Sequence, residues 1–191
     1  MKNQSVLHNQ DPATVSGFGD EWSRFDQSGL SMEELQAQFE RYFRIFPWES
    51  LPDNAVGFDA GCGSGRWARL VAPRIGKLHC LDASGEALAV ARRNLREFHN
   101  CEFHHAAIND ALFPEASMDF GYCLGVLHHI LDTQQALKAL VRLLRPGAPL
   151  LIYIYYAFDN RPFWFLWLWK ISDAVRHVVS RLPYGGRYLV S

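Results

Sequence analysis

From Val56 to Tyr156 the chain keeps returning to one unit, a short apolar run followed by a helical stretch, and few folds accept that rhythm. Runs suited to buried strands fall at Val56–Ala60, Lys77–Leu81, Cys101–His105, Phe120–Leu124 and Pro149–Tyr156. Helical stretches lie between most of them, at Gly65–Ala72, Gly85–Phe98 and Thr133–Leu144, and a last one follows at Pro162–Leu182. The connection AAINDALFPEASM, between the third and fourth runs, reads as a loop. Strand-then-helix repetition predicts a parallel sheet with helices on both faces. Right-handed crossovers wind such a sheet outward from its first strand in both directions. The expected fold is therefore α/β, a Rossmann-like doubly wound sheet of order 3-2-1-4-5. Ligands of that architecture sit at the carboxyl ends of the strands, where the order switches between first and fourth. Asp59 to Gly65, Asp82 and Cys123 to His129 then border one crevice.

Ahead of the sheet, SMEELQAQFERYFRIF opens with Ser31 and Glu34 at capping-box spacing. Leu35, Phe39, Phe43 and Ile45 fall near one face, so a helix is expected there, ended by PWESLPDN. The first residues, to about 17, are polar and aperiodic and read as an arm. The expected division is an N-terminal arm and helical cap over residues 1–50, then one globular unit over 51–191. No repeat, low-complexity segment or strong linker interrupts it.

The stretch VGFDAGCGSGRW places Gly61, Gly63 and Gly65 at every second position, two residues after Asp59. Three alternate glycines imply that something approaches the backbone closely. Dinucleotide sites use G-x-G-x-x-G, with a pyrophosphate on the helix N-terminus. Here the spacing is G-x-G-x-G, and a carboxylate at the strand end would repel a pyrophosphate. It suits a ligand with a positive amine and no phosphate, such as S-adenosylmethionine. Asp82 ends the second strand, where a carboxylate can accept both ribose hydroxyls. Asp82 alone could equally cap the following helix. Capping does not explain the glycines and Asp59 as well.

DAGCGSGRW, LDAS, FPEASMDFGYCLGVLHHI and LLRPGAPLLIYIY together resemble a class I S-adenosylmethionine-dependent methyltransferase, in the broad small-molecule group that includes quinone-biosynthesis enzymes. The likeness covers roughly residues 54 to 157. FGDEWSRFDQ and the helix after it look like the cap such enzymes fold over the cofactor. The resemblance implies that Asp59 and the backbone of Gly61 and Gly63 hold the methionine portion, with Cys62 and Gly65 also at the cofactor. It gives Asp82 the ribose, sets Ala83 beside the adenine and lets Leu124 contribute backbone to the methionine side. The family's usual acid at the adenine edge aligns to Ala107, a departure; Asn109 or the backbone of Ile108 would then take that hydrogen bond.

Methyl transfer asks chiefly for alignment and exclusion of water. A general base is needed only where the acceptor loses a proton. His129 is the candidate, with His128 beside it. The alternative is that both histidines shape the loop and the substrate brings its own nucleophilicity. The blocks typical of amino-nucleobase and cytosine-C5 methyltransferases are missing, which directs the reading to a small-molecule acceptor. RPFWFLWLWKISDAVRHVVSRLP is either a core helix or an apolar wall or interfacial face, with Arg176, His177 and Arg181 on its polar side.

Further classes are set aside by charge and composition. Hydrophobic residues make up 49% and charged residues 20%, enough apolar material for a core, and the net charge of -1 offers no basic footprint for nucleic acid. Cys62, Cys80, Cys101 and Cys123 form no C-x-x-C pair, and the neighbours His104-His105 and His128-His129 point different ways, so the sequence marks no metal site. No signal-peptide pattern opens the chain, so a cytoplasmic protein is expected. Ala148–Ser172 is broken by Asp159, Asn160, Arg161 and Pro162 and is not expected to span a membrane; peripheral contact stays open. The final PYGGRYLVS is short for the two closing strands of the family, which predicts a five-stranded core and a homodimer through the C-terminal region. A methyltransferase-like binding module without turnover is the alternative function.

Overall fold

In the computed structural model the described residues are 15, 17, 31–110, 112–155 and 161–180, with side chains described to residue 173. Two compact units follow each other, residues 1–154 and 155–191, a division that no linker composition marks.

The first helix, α1 (Met32–Tyr42), starts where the capping box predicts. Ser31 Oγ accepts from Glu34 N, and Glu34 Oε2 accepts from Ser31 N, each at 3.2 Å. Leu35, Phe39 and Phe43 are buried, but Ile45 is 82% exposed and Phe46 takes the inward place. The helix stops at Tyr42, and Phe46 N donates to Phe43 O, so the apolar face is no longer in helical register at position 45.

Five strands build one sheet: β1 (Val56–Ala60), β2 (Lys77–Asp82), β3 (Cys101–His105), β4 (Phe120–Leu124) and β5 (Leu150–Tyr153). Every pairing is parallel and the order is β3-β2-β1-β4-β5, as the alternation predicts. Strand β2 runs one residue further than expected, because Asp82 still pairs with His105. Strand β5 begins and ends inside its predicted run; Tyr156 lies outside the described residues.

The helix expected from Gly65 is only α2 (Ala68–Val71), followed by a 3-10 turn at Ala72–Arg74. Gly65 has φ +78°, which cannot start a right-handed helix. Helix α3 (Gly85–Asn94) is capped by Ser84 Oγ, which accepts from Ala87 N at 3.2 Å, and ends four residues before Phe98. Helix α4 (Thr133–Leu143) is capped by Asp132, whose Oδ1 accepts from Gln135 N at 2.9 Å. Between β3 and β4 the described residues form no helix, in keeping with a loop.

Alternation along the strands divides the core into two layers. Leu78, Cys80, Phe120 and Tyr122 pack with α1, Phe46 and the α3 residues Leu88 and Ala91. Phe58, Ala60, Leu81 and Cys123 pack on the other face with Ala136 and Leu140 of α4. The β1–β4 pair interlocks. Gly57 pairs with Phe120 and Phe58 with Gly121, so each ring lies over the opposite strand's glycine. Three of the four cysteines meet in the first layer as free thiols, Cys62 and Cys80 buried and Cys101 packed against the cluster.

The second unit contains α5 (Phe163–Ser180). Its Phe163, Trp164, Trp167 and Leu168 side chains are exposed. No helix among the described residues is long and apolar enough to cross a membrane. The closing segment from residue 181 lies outside the described residues.

Candidate functional site

The loop leaving β1 is held from three sides. Gly61 N and Cys62 N both donate to Leu81 O, at 2.8 and 3.0 Å, tying the loop to the end of β2. Gly65 N donates to Cys62 O at 2.9 Å and closes a turn. The φ angles of Gly61, Gly63 and Gly65 are +78°, +54° and +78°, a region that side chains strongly disfavour. A Cβ on Gly61 would stand 2.4 Å from Val126 Cγ2, and one on Gly65 would stand 2.7 Å from Leu95 Cδ1. At these two positions the close approach read from the spacing is made by the protein's own β4 loop and by the end of α3. Part of the glycine requirement is therefore internal.

Asp82 is the latch of this loop. Its Oδ2 accepts from Gly63 N at 2.9 Å and its Oδ1 from Ser84 N at 2.8 Å. Burial raises its pKa, and those two backbone donors oppose the rise. Each oxygen keeps further acceptor capacity for an outside hydroxyl. Asp82 thus shapes the loop and presents lone pairs at the strand end, whereas the helix-capping role that the sequence also allowed it belongs to Ser84.

Asp59 lies deeper, 2% exposed, one residue before the end of β1. Burial pushes its carboxyl up to about 8; the nearby Tyr122 hydroxyl moderates this and the Asp82 charge adds to it. Neither Asp59 Oδ2 nor the Tyr122 hydroxyl completes a hydrogen bond of ordinary geometry. An orphaned buried acceptor beside a second acid is costly, and a cationic partner is what it calls for. An ammonium fits this donor-poor corner, and a phosphate does not.

The other expected residues surround the same strand ends. Ala83 is half-buried, and its carbonyl accepts from His105 Nε2 at 2.8 Å. Ala107 is fully buried and its N–H donates to Asp110 Oδ2 at 2.8 Å. Ile108 is buried with its side chain in the second core layer, which leaves its backbone for any ligand, and Asn109 is half-buried. Asp110 is thus an acid on the same loop as Ala107, the position to which the resemblance assigns the family's usual one. Nothing in the sequence singles it out, although it stands three places after Ala107 in HAAIND.

Leu124 closes β4 and is half-buried. Gly125 follows at φ +78° and donates to Tyr153 O at 2.8 Å. Then Val126 packs on Gly61, and a 3-10 turn over Leu127–His129 carries both histidines. His128 is half-buried and His129 exposed, with ring centroids 4.0 Å apart. Burial holds both below the ordinary histidine value, and His128 is lowered further by His129. Val126 therefore joins the histidine turn to the glycine loop.

Three aromatic side chains adjoin this end of the sheet without having been singled out in the sequence. Tyr42 lies 4.9 Å from Trp67 and 5.0 Å from Tyr153, centroid to centroid. They come from the end of α1, the exit of the glycine loop and the end of β5. Only the sheet order brings them together.

Residues 58–152 match a family described as "Methyltransferase domain". The chain is 33% identical over 141 residues to 2-phytyl-1,4-naphtoquinone methyltransferase of Thermosynechococcus vestitus, covering 68% of this chain and 61% of that protein. It is 32% identical over 97 residues to demethylmenaquinone methyltransferase of Listeria welshimeri, covering 48% of this chain and 41% of that one. The chain thus spans well under the full length of both relatives. Among solved structures, N-methyltransferase NodS of Bradyrhizobium japonicum, in complex with S-adenosyl-L-homocysteine, has a TM-score of 0.63 at 19% identity, covering 73% of this chain and 71% of that one. That likeness is one of fold. The sheet order and the family match together make this chain a member of the class I S-adenosylmethionine-dependent methyltransferases.

Proposed function

We propose that the chain transfers a methyl group from S-adenosylmethionine to a small apolar acceptor. The observation that carries this reading is the buried Asp59 carboxyl with its orphaned oxygen, set beside a glycine loop latched to Asp82. Asp59 would receive the methionine ammonium, with the loop backbone of Gly61, Cys62, Gly63 and Gly65 around it. The remaining lone pairs of Asp82 would take the ribose hydroxyls. Ala83, Ile108, Asn109 and Asp110 would border the adenine, and Leu124 the methionine side. When bound, the cofactor supplies an electrophilic methyl on a sulfonium sulfur. The chain's own work is to align the acceptor and keep water away, with α1 as the cap.

Two observations favour an apolar, ring-bearing acceptor. Tyr42, Trp67 and Tyr153 form an aromatic surface at the strand ends, and two of the similar proteins are named for naphthoquinone and menaquinone substrates. His129 is the group to accept a proton from a hydroxyl-bearing acceptor, because its lowered pKa keeps it unprotonated at neutral pH. The free thiols support a reducing, cytoplasmic setting. The outer edge of β5 supports self-association.

The test is transfer of labelled methyl to a reduced naphthoquinone by the wild type and His129→Gln. The expected result is product with the wild type and a kcat roughly 10²-fold lower in the variant, with KM little changed and the acidic limb of the pH profile lost. Cofactor binding without product from any apolar acceptor would favour the binding-module reading instead.

A further inference from the structure

On the face of β2 and β3 that carries Leu81, away from α3, three side chains with metal-binding atoms converge. His79 pairs in register with Glu102, and His104 stands two residues further along β3, so all three point the same way. His79 Nδ1 lies 3.1 Å from His104 Nε2 and 3.3 Å from Glu102 Oε2, and the three ligand atoms all lie within 4.8 Å of one another. We propose that His79, Glu102 and His104 bind a zinc-class divalent cation, with water completing a tetrahedral shell.

The geometry suits that ion. With zinc–ligand bonds of about 2.0–2.1 Å, tetrahedral ligand atoms stand roughly 3.3 Å apart. Two imidazoles beside one carboxylate are a donor set zinc takes, and the nitrogen donors prefer it over magnesium or calcium. Without a metal, the close pair of ring nitrogens is held by one shared proton. A bound cation would let that proton sit on the far nitrogen of its ring.

The surroundings are arranged around the same three residues. Lys77 Nζ holds the other carboxylate oxygen, Glu102 Oε1, at 2.7 Å, which leaves Oε2 turned to the histidines. Phe113 covers both imidazoles, with centroids 4.6 Å from His79 and 5.1 Å from His104. His79 is 8% exposed, while Glu102 is open to solvent, so an ion has a buried floor and an entrance. Lys77 and Arg92 are the nearby positive charges that oppose a cation, and Glu102 offsets one of them. The described part of the β3–β4 connection lays no helix over this face. A metal here would cross-link the edge strand to its neighbour.

The test uses the full chain freed of metal by chelation, titrated with Zn²⁺ alone and, as a control, Mg²⁺. One equivalent of Zn²⁺ is expected to bind and to raise the thermal midpoint, with no response to Mg²⁺. His104→Ala should abolish the response and Glu102→Gln should weaken binding at least tenfold, while both variants still bind S-adenosylhomocysteine as the wild type does, showing that they are folded. With Co²⁺ as a probe, visible d–d bands without a near-ultraviolet thiolate band are expected. Three results would overturn the proposal: no Zn²⁺ binding by the wild type, equal binding by the variants, or a thiolate band assigning the ion to Cys62, Cys80 and Cys101.

Discussion

Asp82→Ala is expected to weaken S-adenosylhomocysteine binding by at least about 10²-fold, measured by calorimetric titration, because one carboxylate serves two ends of the site. Hydrogen bonds to a charged group contribute about 1.5–3 kcal/mol each. Losing two from ribose hydroxyls accounts for that factor alone. The substitution also releases Gly63 N and Ser84 N, whose donors now meet Asp82 at 2.9 and 2.8 Å. The glycine loop is then unlatched before any ligand arrives, so the variant also loses roughly 1–3 kcal/mol of stability from unsatisfied backbone donors. Asp82→Asn separates the effects. Its single amide oxygen can keep one of the two backbone donors, so stability recovers more than affinity does.

Gly121→Ala is expected to be among the most damaging single-methyl additions, lowering stability by about 3 kcal/mol, the upper end of overpacking costs. In a chain of this length that is a fall of roughly 6–12 °C in thermal midpoint. The added Cβ, on the second residue of β4, would stand 2.2 Å from Phe58 Cζ. Phe58 is fully buried and cannot swing away, and Gly57 under Phe120 repeats the arrangement on the neighbouring pair at 2.3 Å. Combining Gly121→Ala with Phe58→Leu should restore part of the loss relative to the sum of the single changes. Gly147→Ala is the control. It has a positive φ of +84° but nothing within 4 Å of a new Cβ, so its cost should stay near 1 kcal/mol.

The strand order was legible because it follows from local rhythm and a general rule of handedness. Each apolar run from Val56 onward is bounded by its own helix or turn, and right-handed crossovers admit one winding. Helix ends were less legible. Phe98 and Ile45 continue an apolar pattern past the point where the backbone turns, and hydrophobic spacing carries no record of that turn. Asp59 and Asp82 stood out because their chemistry sits at strand ends, which the pattern already locates.

What depends on contacts between distant segments was hidden. The spacing of Gly61 and Gly65 signals close approach, but only the fold names Val126 and Leu95 as what approaches. Tyr42 and Tyr153 are more than a hundred positions apart and meet only after the sheet is ordered. His104 was weighed against His105, its neighbour in sequence, whereas its partners are His79 across the strand gap and Glu102 two residues back. Adjacent residues on a strand diverge, and alternate ones converge.

Protonation of Asp59 gives the sharpest test of cofactor binding at this site. With its pKa raised from 3.8 to about 8 in the folded chain, Asp59 is mostly protonated at pH 7. The raised value means that its contribution to stability is full below pH 4 and is lost as pH rises towards 8. A bound ammonium would favour the carboxylate and lower that pKa again. Binding at pH 7 should therefore expel most of one proton, and affinity should rise with pH until it levels above 8. The measurement is calorimetric titration of the full chain with S-adenosylhomocysteine at pH 7, in two buffers of different ionisation enthalpy, with Asp59→Asn alongside. The expected result is saturable binding with proton release by the wild type, and both reduced or lost in Asp59→Asn. Absence of binding by the folded wild type, or binding without proton release and indifferent to Asp59→Asn, would contradict it.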